Sequence, residues 1–203
     1  MRMLRIIPVL LGLVLTWSCS QPQPPALQQG TLLPQAKVIG DFSLIDHNDK
    51  PFSLSRFKNH WTFTFFGYTH CPDVCPTSMA MLAQVQRRLE ENGTEELPQV
   101  VFVSVDPQRD TPASLATYVP YFHPEFLGVT GDSEEILKLT RQLGILYAKA
   151  ETDNSQSYLV DHSASIILFD PDGGFRALFG PPHDPAKIAS DFLAIRDYYE
   201  EIR

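Results

Sequence analysis

Cysteine is scarce in this sequence, with three residues among 203. Cys19 falls in an N-terminal export segment, so the folded part of the chain holds a single thiol pair, Cys71 and Cys75. A closed zinc site requires four ligands, and two sulfurs cannot complete one by themselves. The remaining uses for such a pair are redox chemistry and the binding of a soft metal ion.

Basic side chains are also in short supply, at 16 lysines and arginines against 24 aspartates and glutamates. Removal of residues 1–18 takes away Arg2 and Arg5, which leaves 14 basic against 24 acidic side chains and a net charge of −10. A surface that is so acidic repels phosphate backbones. The composition therefore excludes nucleic acid as an expected partner.

The sequence has no apolar run long enough for a comfortable membrane span. Its N-terminal run, Ile6 to Trp17, covers 12 residues and follows two arginines, which is typical of a secretory signal peptide. Ser18-Cys19 then resembles a bacterial lipoprotein processing site, with Cys19 as the lipidated residue. We predict an exported protein tethered at the periplasmic face of a bacterial membrane. The alternative is an uncleaved N-terminal anchor with an incidental cysteine.

Composition divides the chain into three parts. Residues 20–35 are rich in glutamine and proline and show no apolar periodicity, which is typical of an extended tether. We predict a signal peptide over residues 1–18, a tether over residues 19–37 and one folded domain over residues 38–203.

Strand-like and helix-like patterns alternate along the predicted domain. Strands are expected at 41–45, 51–54, 61–66, 100–105, 126–130, 165–169 and 175–179. Helices are expected after Cys75 to near residue 93, at 113–121, after Asp132 with Glu135 aiding the cap, and after Asp184. This order predicts an α/β, thioredoxin-like fold: a mixed central sheet flanked by helices, with an N-terminal hairpin.

The two cysteines lie four residues apart between a predicted central strand and the helix that follows it. The exposed N–H groups of a helix start favour the thiolate form, so we expect both sulfurs to be anionic. Outside the cytoplasm the pair tends toward a Cys71–Cys75 disulfide. Regular helix geometry holds such Cβ atoms about 5–6 Å apart, whereas a disulfide wants about 3.5–4.5 Å. Oxidation thus requires a shift around Cys71, and the reduced pair leaves room for an ion such as Cu(I).

A third ligand to such an ion should be an imidazole, since two sulfurs and one nitrogen suit copper in either oxidation state. His162 precedes a predicted strand and is the first candidate, with Asp161 either orienting the ring or simply solvated. His70 adjoins Cys71 and is the rival. The remaining histidines are expected at the surface: His47, His60, His123 and His183.

Four stretches together carry a resemblance to a known family: residues 65–76, 105–112, 130–131 and 161–163. Through them the sequence resembles the Sco/SenC family of copper-binding, thioredoxin-like proteins over about residues 38 to 200. The resemblance implies that Cys71, Cys75 and His162 bind copper, as Cu(I) or Cu(II). It also implies that Asp106-Pro107 and Asp110-Thr111-Pro112 shape a loop and do not ligate the metal.

The same resemblance implies a copper chaperone that helps to assemble the dinuclear copper centre of cytochrome c oxidase. Expected partners are the copper-bearing oxidase subunit and another periplasmic copper donor. The alternative is a thiol–disulfide reductase acting on the oxidase subunit or on other exported thiols. Against it, residues 125–170 lack the proline that thioredoxin-type reductases place in cis opposite their dithiol. A peroxidase of related fold is a third alternative, but its single peroxidatic cysteine fits this pair poorly.

Overall fold

The computed structural model of the protein describes residues 22–150 and 158–203. Within these residues the strands are β1 (Gly30–Lys37), β2 (Leu44–Asp46), β3 (Pro51–Phe52), β4 (Thr62–Gly67), β5 (Gln99–Ser104), β6 (Leu127–Thr130), β7 (Tyr147–Lys149), β8 (Val160–His162), β9 (Ile166–Phe169) and β10 (Phe175–Phe179). The α-helices are α1 (Val74–Glu91), α2 (Pro112–Tyr118), α3 (Ser133–Leu143) and α4 (Pro185–Ile202).

Eight of the strands form one mixed sheet in the order β1-β10-β9-β4-β5-β6-β2-β3. The centre is parallel, with β4 beside β5 and β5 beside β6, whereas β9, β10 and β2 run antiparallel to their neighbours. Every residue of β4 is buried, as expected for a strand covered on both faces. The predicted mixed sheet flanked by helices is confirmed, and so is the N-terminal hairpin, which is β2–β3.

Aromatic side chains of the central strand join the sheet to the helices. The Phe63 ring lies 5.6 Å from that of Phe192 in α4, and Trp61 meets the same phenylalanine edge-on at 5.7 Å. Helix α1 packs against α4. Burial of these large rings supplies much of the driving force for folding. Helix α1, which carries Cys75, is thereby held in the layer that packs against the sheet.

One helix start follows the predicted chemistry and another departs from it. Asp184 accepts the N–H groups of Ala186 and Lys187 at the start of α4. Asp132 occupies the N-cap position of α3, but its side chain makes no capping hydrogen bond. Glu135 does not aid the cap either, because its Oε2 accepts the Ser43 N–H at 2.7 Å. The prediction was wrong here because a tertiary partner outcompeted the local one.

The predicted tether was wrong in its second half, because residues 30–37 form the edge strand β1. Thr31 and Leu32 pair antiparallel with Leu178 and Ala177 of β10. The buried carboxylate of Asp191 accepts the N–H groups of residues 28, 29 and 30 at 2.7, 2.8 and 2.8 Å. Pro34 lies in this strand, which an edge position tolerates, and the pairing register is irregular after Leu32. These two features disturb the alternation of polar and apolar residues by which a strand is predicted.

A second departure is the two-stranded sheet of β7 and β8, which stands apart from the main sheet. Its register places Tyr147 opposite His162, so His162 lies on a short strand and not in the expected loop. The predicted signal peptide, Cys19 and the start of the tether lie outside the described residues. Among the residues that the structure does describe, none of the helices has the length and hydropathy of a membrane span.

Candidate metal centre

The structure brings Cys71, Cys75 and His162 together at the carboxyl end of β4. Cys71 lies in the turn between β4 and α1, Cys75 is the second residue of α1, and His162 ends β8. The Sγ atom of Cys75 is 3.2 Å from Nε2 of His162. The two sulfurs and one imidazole nitrogen all lie within 4.8 Å of one another. A single ion of ordinary metal–sulfur and metal–nitrogen bond lengths fits among atoms so spaced.

Strand β4 ends in a glycine, and this permits the close approach of Cys75. A Cβ atom on Gly67 would lie 2.7 Å from Cys75 Sγ and 2.9 Å from a ring carbon of Phe102. Cys75 is fully buried, whereas Cys71 is partly exposed. The Cys71 Sγ atom accepts the Cys75 N–H at 3.4 Å, so one free amide of the helix start is directed at a sulfur.

Burial governs the protonation of Cys75, which is buried, and of His162, which is partly buried. It raises the pKa of the Cys75 thiol well above its ordinary value, and the neighbouring Cys71 raises it further. The expectation that the helix start makes both sulfurs anionic is therefore wrong for Cys75, because desolvation of the thiolate outweighs the helix start. Burial lowers the pKa of His162, so its ring is neutral at neutral pH.

The imidazole of His162 is held in one tautomer. Its Nδ1 lies 3.2 Å from the carbonyl oxygen of Ser163, which can only accept, so Nδ1 carries the proton. Nε2 consequently presents a lone pair toward Cys75, which is the arrangement a metal ligand requires. The rings of Phe65 and Tyr68 meet the imidazole edge-on at 5.9 and 6.0 Å between centroids.

Both cysteines are free thiols in this structure. The Cys71–Cys75 disulfide stays a prediction for the oxidised protein.

The loop after β5 supports the turn that carries the first cysteine. One oxygen of Asp110 accepts the Thr69 hydroxyl at 2.6 Å, and the other accepts the Thr69 N–H at 2.9 Å and the Ser104 hydroxyl at 2.6 Å. Asp106 and Asp110 are both buried and lie outside the ligand set, in agreement with the loop-shaping role implied by the resemblance.

The other histidines divide between surface and structure. The His70 side chain is 56% exposed, and its Nδ1 lies 3.0 Å from the Thr69 hydroxyl and away from the ligand cluster. His47 and His183 were wrongly placed at the plain surface. His47 Nδ1 accepts the Gly128 N–H at 2.9 Å, and His183 Nε2 donates to the Phe179 carbonyl at 3.2 Å. Asp161 is exposed, which fits the solvated alternative.

Comparison with known proteins places these features in a family. A sequence model described as SCO1/SenC matches residues 30–196. The mitochondrial SCO2 homolog of Mus musculus is 40% identical over 189 residues, which is 90% of this chain and 74% of that protein. An SCO2-like protein of Rickettsia prowazekii is 35% identical over 179 residues, which is 86% of each chain.

Solved structures give the same result. The crystal structure of Arabidopsis thaliana ScoI with copper bound aligns with a TM-score of 0.74 and 38% identity, over 79% of this chain and 99% of that chain. The expected thioredoxin-like fold is thereby confirmed.

Proposed function

The chain belongs to the SCO1/SenC family, and from this membership and the geometry of its site we propose that it binds copper through Cys71, Cys75 and His162 and delivers it to an acceptor protein. The observation that carries the proposal is the convergence of two thiol sulfurs and one imidazole nitrogen within 4.8 Å. Soft sulfur donors select copper among the ions that accept such a set. The likeness to the copper-bound ScoI structure of Arabidopsis thaliana supports this choice.

Delivery follows from the number and placement of the ligands. Three protein ligands leave a copper ion able to accept a fourth ligand. A thiolate or imidazole of the acceptor can therefore bind before the donor ligands dissociate. The family resemblance makes the copper-bearing subunit of cytochrome c oxidase the proposed acceptor, and another periplasmic copper protein the proposed donor. The signal peptide over residues 1–18 and a lipid on Cys19 would keep the domain at the periplasmic face of the membrane.

The test compares two histidine variants of the protein. We expect His162→Ala to weaken copper binding by at least about a hundredfold, because loss of an outer-shell partner alone costs about 10–100-fold. The control is His60→Ala, since His60 is exposed and outside the ligand set. Affinity is measured by competition with a chelator in the presence of a reductant. Equal affinities of His162→Ala and the unchanged protein would refute the assigned site.

The same dithiol supports a second candidate function, thiol–disulfide reduction, because Cys71 is partly exposed beside the buried Cys75. The Cys71 thiolate would attack a target disulfide and release one target thiol. The Cys75 sulfur would then displace the second, which leaves a Cys71–Cys75 disulfide and two reduced target thiols. Reduction of an oxidised acceptor that persists in His162→Ala would favour this function, since that variant lacks one of the three proposed copper ligands and keeps both thiols.

A further inference from the structure

The hairpin β7–β8 carries a copper ligand yet shares no strand pairing with the main sheet. Within the described residues, the backbone connects His162 to the main sheet only through the short link to β9, which pairs with β4. Side-chain contacts from the loop after β5 hold the hairpin at further points.

Tyr158, four residues before His162, is bound to this loop at two points. Its hydroxyl donates to Oδ1 of Asp106 at 2.6 Å, and its carbonyl accepts a hydrogen bond from Nη1 of Arg109 at 3.0 Å. Asp106 is fully buried and the Arg109 side chain is 18% exposed. Hydrogen bonds to charged groups in such surroundings are stronger than neutral ones.

Arg109 connects the hairpin to Tyr68, whose ring contacts the imidazole of His162. Its Nε donates to Oδ2 of Asp106 at 2.5 Å, and its guanidinium carbon lies 3.7 Å from the Tyr158 ring centroid. The same carbon lies 5.5 Å from the ring of Tyr68, which in turn meets the His162 ring edge-on at 6.0 Å. A planar guanidinium suits this combination of stacking and directed N–H groups, which a lysine cannot reproduce.

The same short loop also holds the other ligand segment. Asp110 accepts both the N–H and the hydroxyl of Thr69, two residues before Cys71. One loop, from Asp106 to Asp110, thus contacts the turn before Cys71 through Thr69 and the hairpin of His162 through Tyr158.

We propose that Tyr158 and Arg109, anchored on Asp106, are positioning residues that hold His162 at bonding distance from the dithiol. Neither side chain belongs to the ligand set, so both act through the imidazole. The inference deepens the proposed copper site and rests on it.

The test is a double-mutant cycle on copper release from the reduced, copper-loaded protein. We expect Tyr158→Phe, which keeps the ring and removes the hydroxyl, to accelerate Cu(I) release to a chelator about tenfold. The control is Tyr121→Phe, on a tyrosine that is 86% exposed, and its release rate should be unchanged. In the His162→Ala background, Tyr158→Phe should add nothing, because its effect passes through the absent imidazole.

Each outcome of the cycle has a distinct meaning. A release rate in Tyr158→Phe within twofold of the unchanged protein would overturn the inference alone, and so would an undiminished effect in the His162→Ala background. If His162→Ala itself left release unchanged, the proposed copper site would fail, and this inference with it.

A second measurement uses the metal-free domain, with Arg109→Lys as an independent variant. Hydrogen exchange of the β8 amides should be faster in both Tyr158→Phe and Arg109→Lys, while exchange of the β4 amides stays unchanged. Equal acceleration in β4 and β8 would indicate general destabilisation and overturn the positioning role.

Discussion

At the scale of single residues, the bare backbone of Gly67 determines where the second sulfur can lie. The Cys75 sulfur fills the space that a side chain at the end of β4 would take, against the ring of Phe102. Interiors are packed too tightly to absorb an extra methyl group here without moving a neighbour. The metal centre thus depends on a residue that contributes no functional group.

Substitution of that glycine tests this dependence. We expect Gly67→Ala to lower the free energy of unfolding by about 1–3 kcal/mol, because the new methyl overpacks the core, and to weaken copper binding by displacing Cys75. Urea unfolding and chelator competition measure the two effects. The matched control is Gly180→Ala, since a Cβ atom there meets nothing within 4 Å. Indistinguishable behaviour of the two variants would contradict the packing argument.

At the scale of secondary-structure elements, strand β1 extends the folded unit beyond the expected start at residue 38. It covers the edge of β10, and the segment leading into it satisfies the carboxylate of Asp191, which is 2% exposed. Removal of that segment would leave a buried charge without its donors, and such a loss is among the costly ones.

Two N-terminal truncations therefore differ in outcome. A chain starting at residue 38 should lose about 3 kcal/mol or more of unfolding free energy, since three amide donors to a charged group and an edge strand disappear. A chain starting at residue 27 keeps β1 and should unfold like the longer protein. Urea titration followed by circular dichroism measures both. Equal stability of the two truncations would mean that β1 contributes nothing to the domain.

Elements differed in how far the sequence could predict them. Strands β4 and β5 and helix α1 were predicted, because each has a buried face and therefore carries a long apolar pattern in its own sequence. Strand β1 pairs with an element about 150 residues away along the chain, and its sequence, which has two adjacent leucines followed by a proline, does not alternate polar with apolar residues. The three-residue strands β7 and β8 are too short for periodicity to mark them.

The ligands of the site show the same limit. Cys71 and Cys75 stand out by their spacing, but His162 is 87 residues from Cys75, and no local rule connects positions so distant. Its position before a predicted strand made His162 a candidate, and the shared motifs selected it. Tyr158 escaped prediction altogether, because its partner Asp106 is 52 residues away and becomes visible only in the folded chain.

At the scale of the whole molecule, the core that buries the first turn of α1 determines whether protons are released when the metal binds. Burial raises the pKa of Cys75, so this thiol is protonated at neutral pH and must release its proton when copper binds. The pKa of His162 is lowered, so its ring is neutral there and releases none. Binding thus competes with protons at Cys75, and a rise in pH favours the bound state.

The apparent copper affinity should therefore increase with pH, by at least roughly tenfold per unit between about pH 6 and about pH 8. Chelator competition across this range measures the slope, and calorimetry in buffers of different ionisation enthalpy counts the protons released. In Cys75→Ser, which lacks the thiol, this release should be lost. A pH-independent affinity of the unchanged protein would refute the protonated state assigned to Cys75.

The unequal exposure of the two thiols would give the proposed copper transfer an order of ligand replacement. A visiting protein would meet the ion past Cys71 or His162, which are both partly exposed, because Cys75 is enclosed by Gly67, Phe102 and the start of α1. In the proposed transfer, Cys75 would therefore be the last ligand to be replaced. The ion would pass between proteins by stepwise ligand substitution and would not be released into solution.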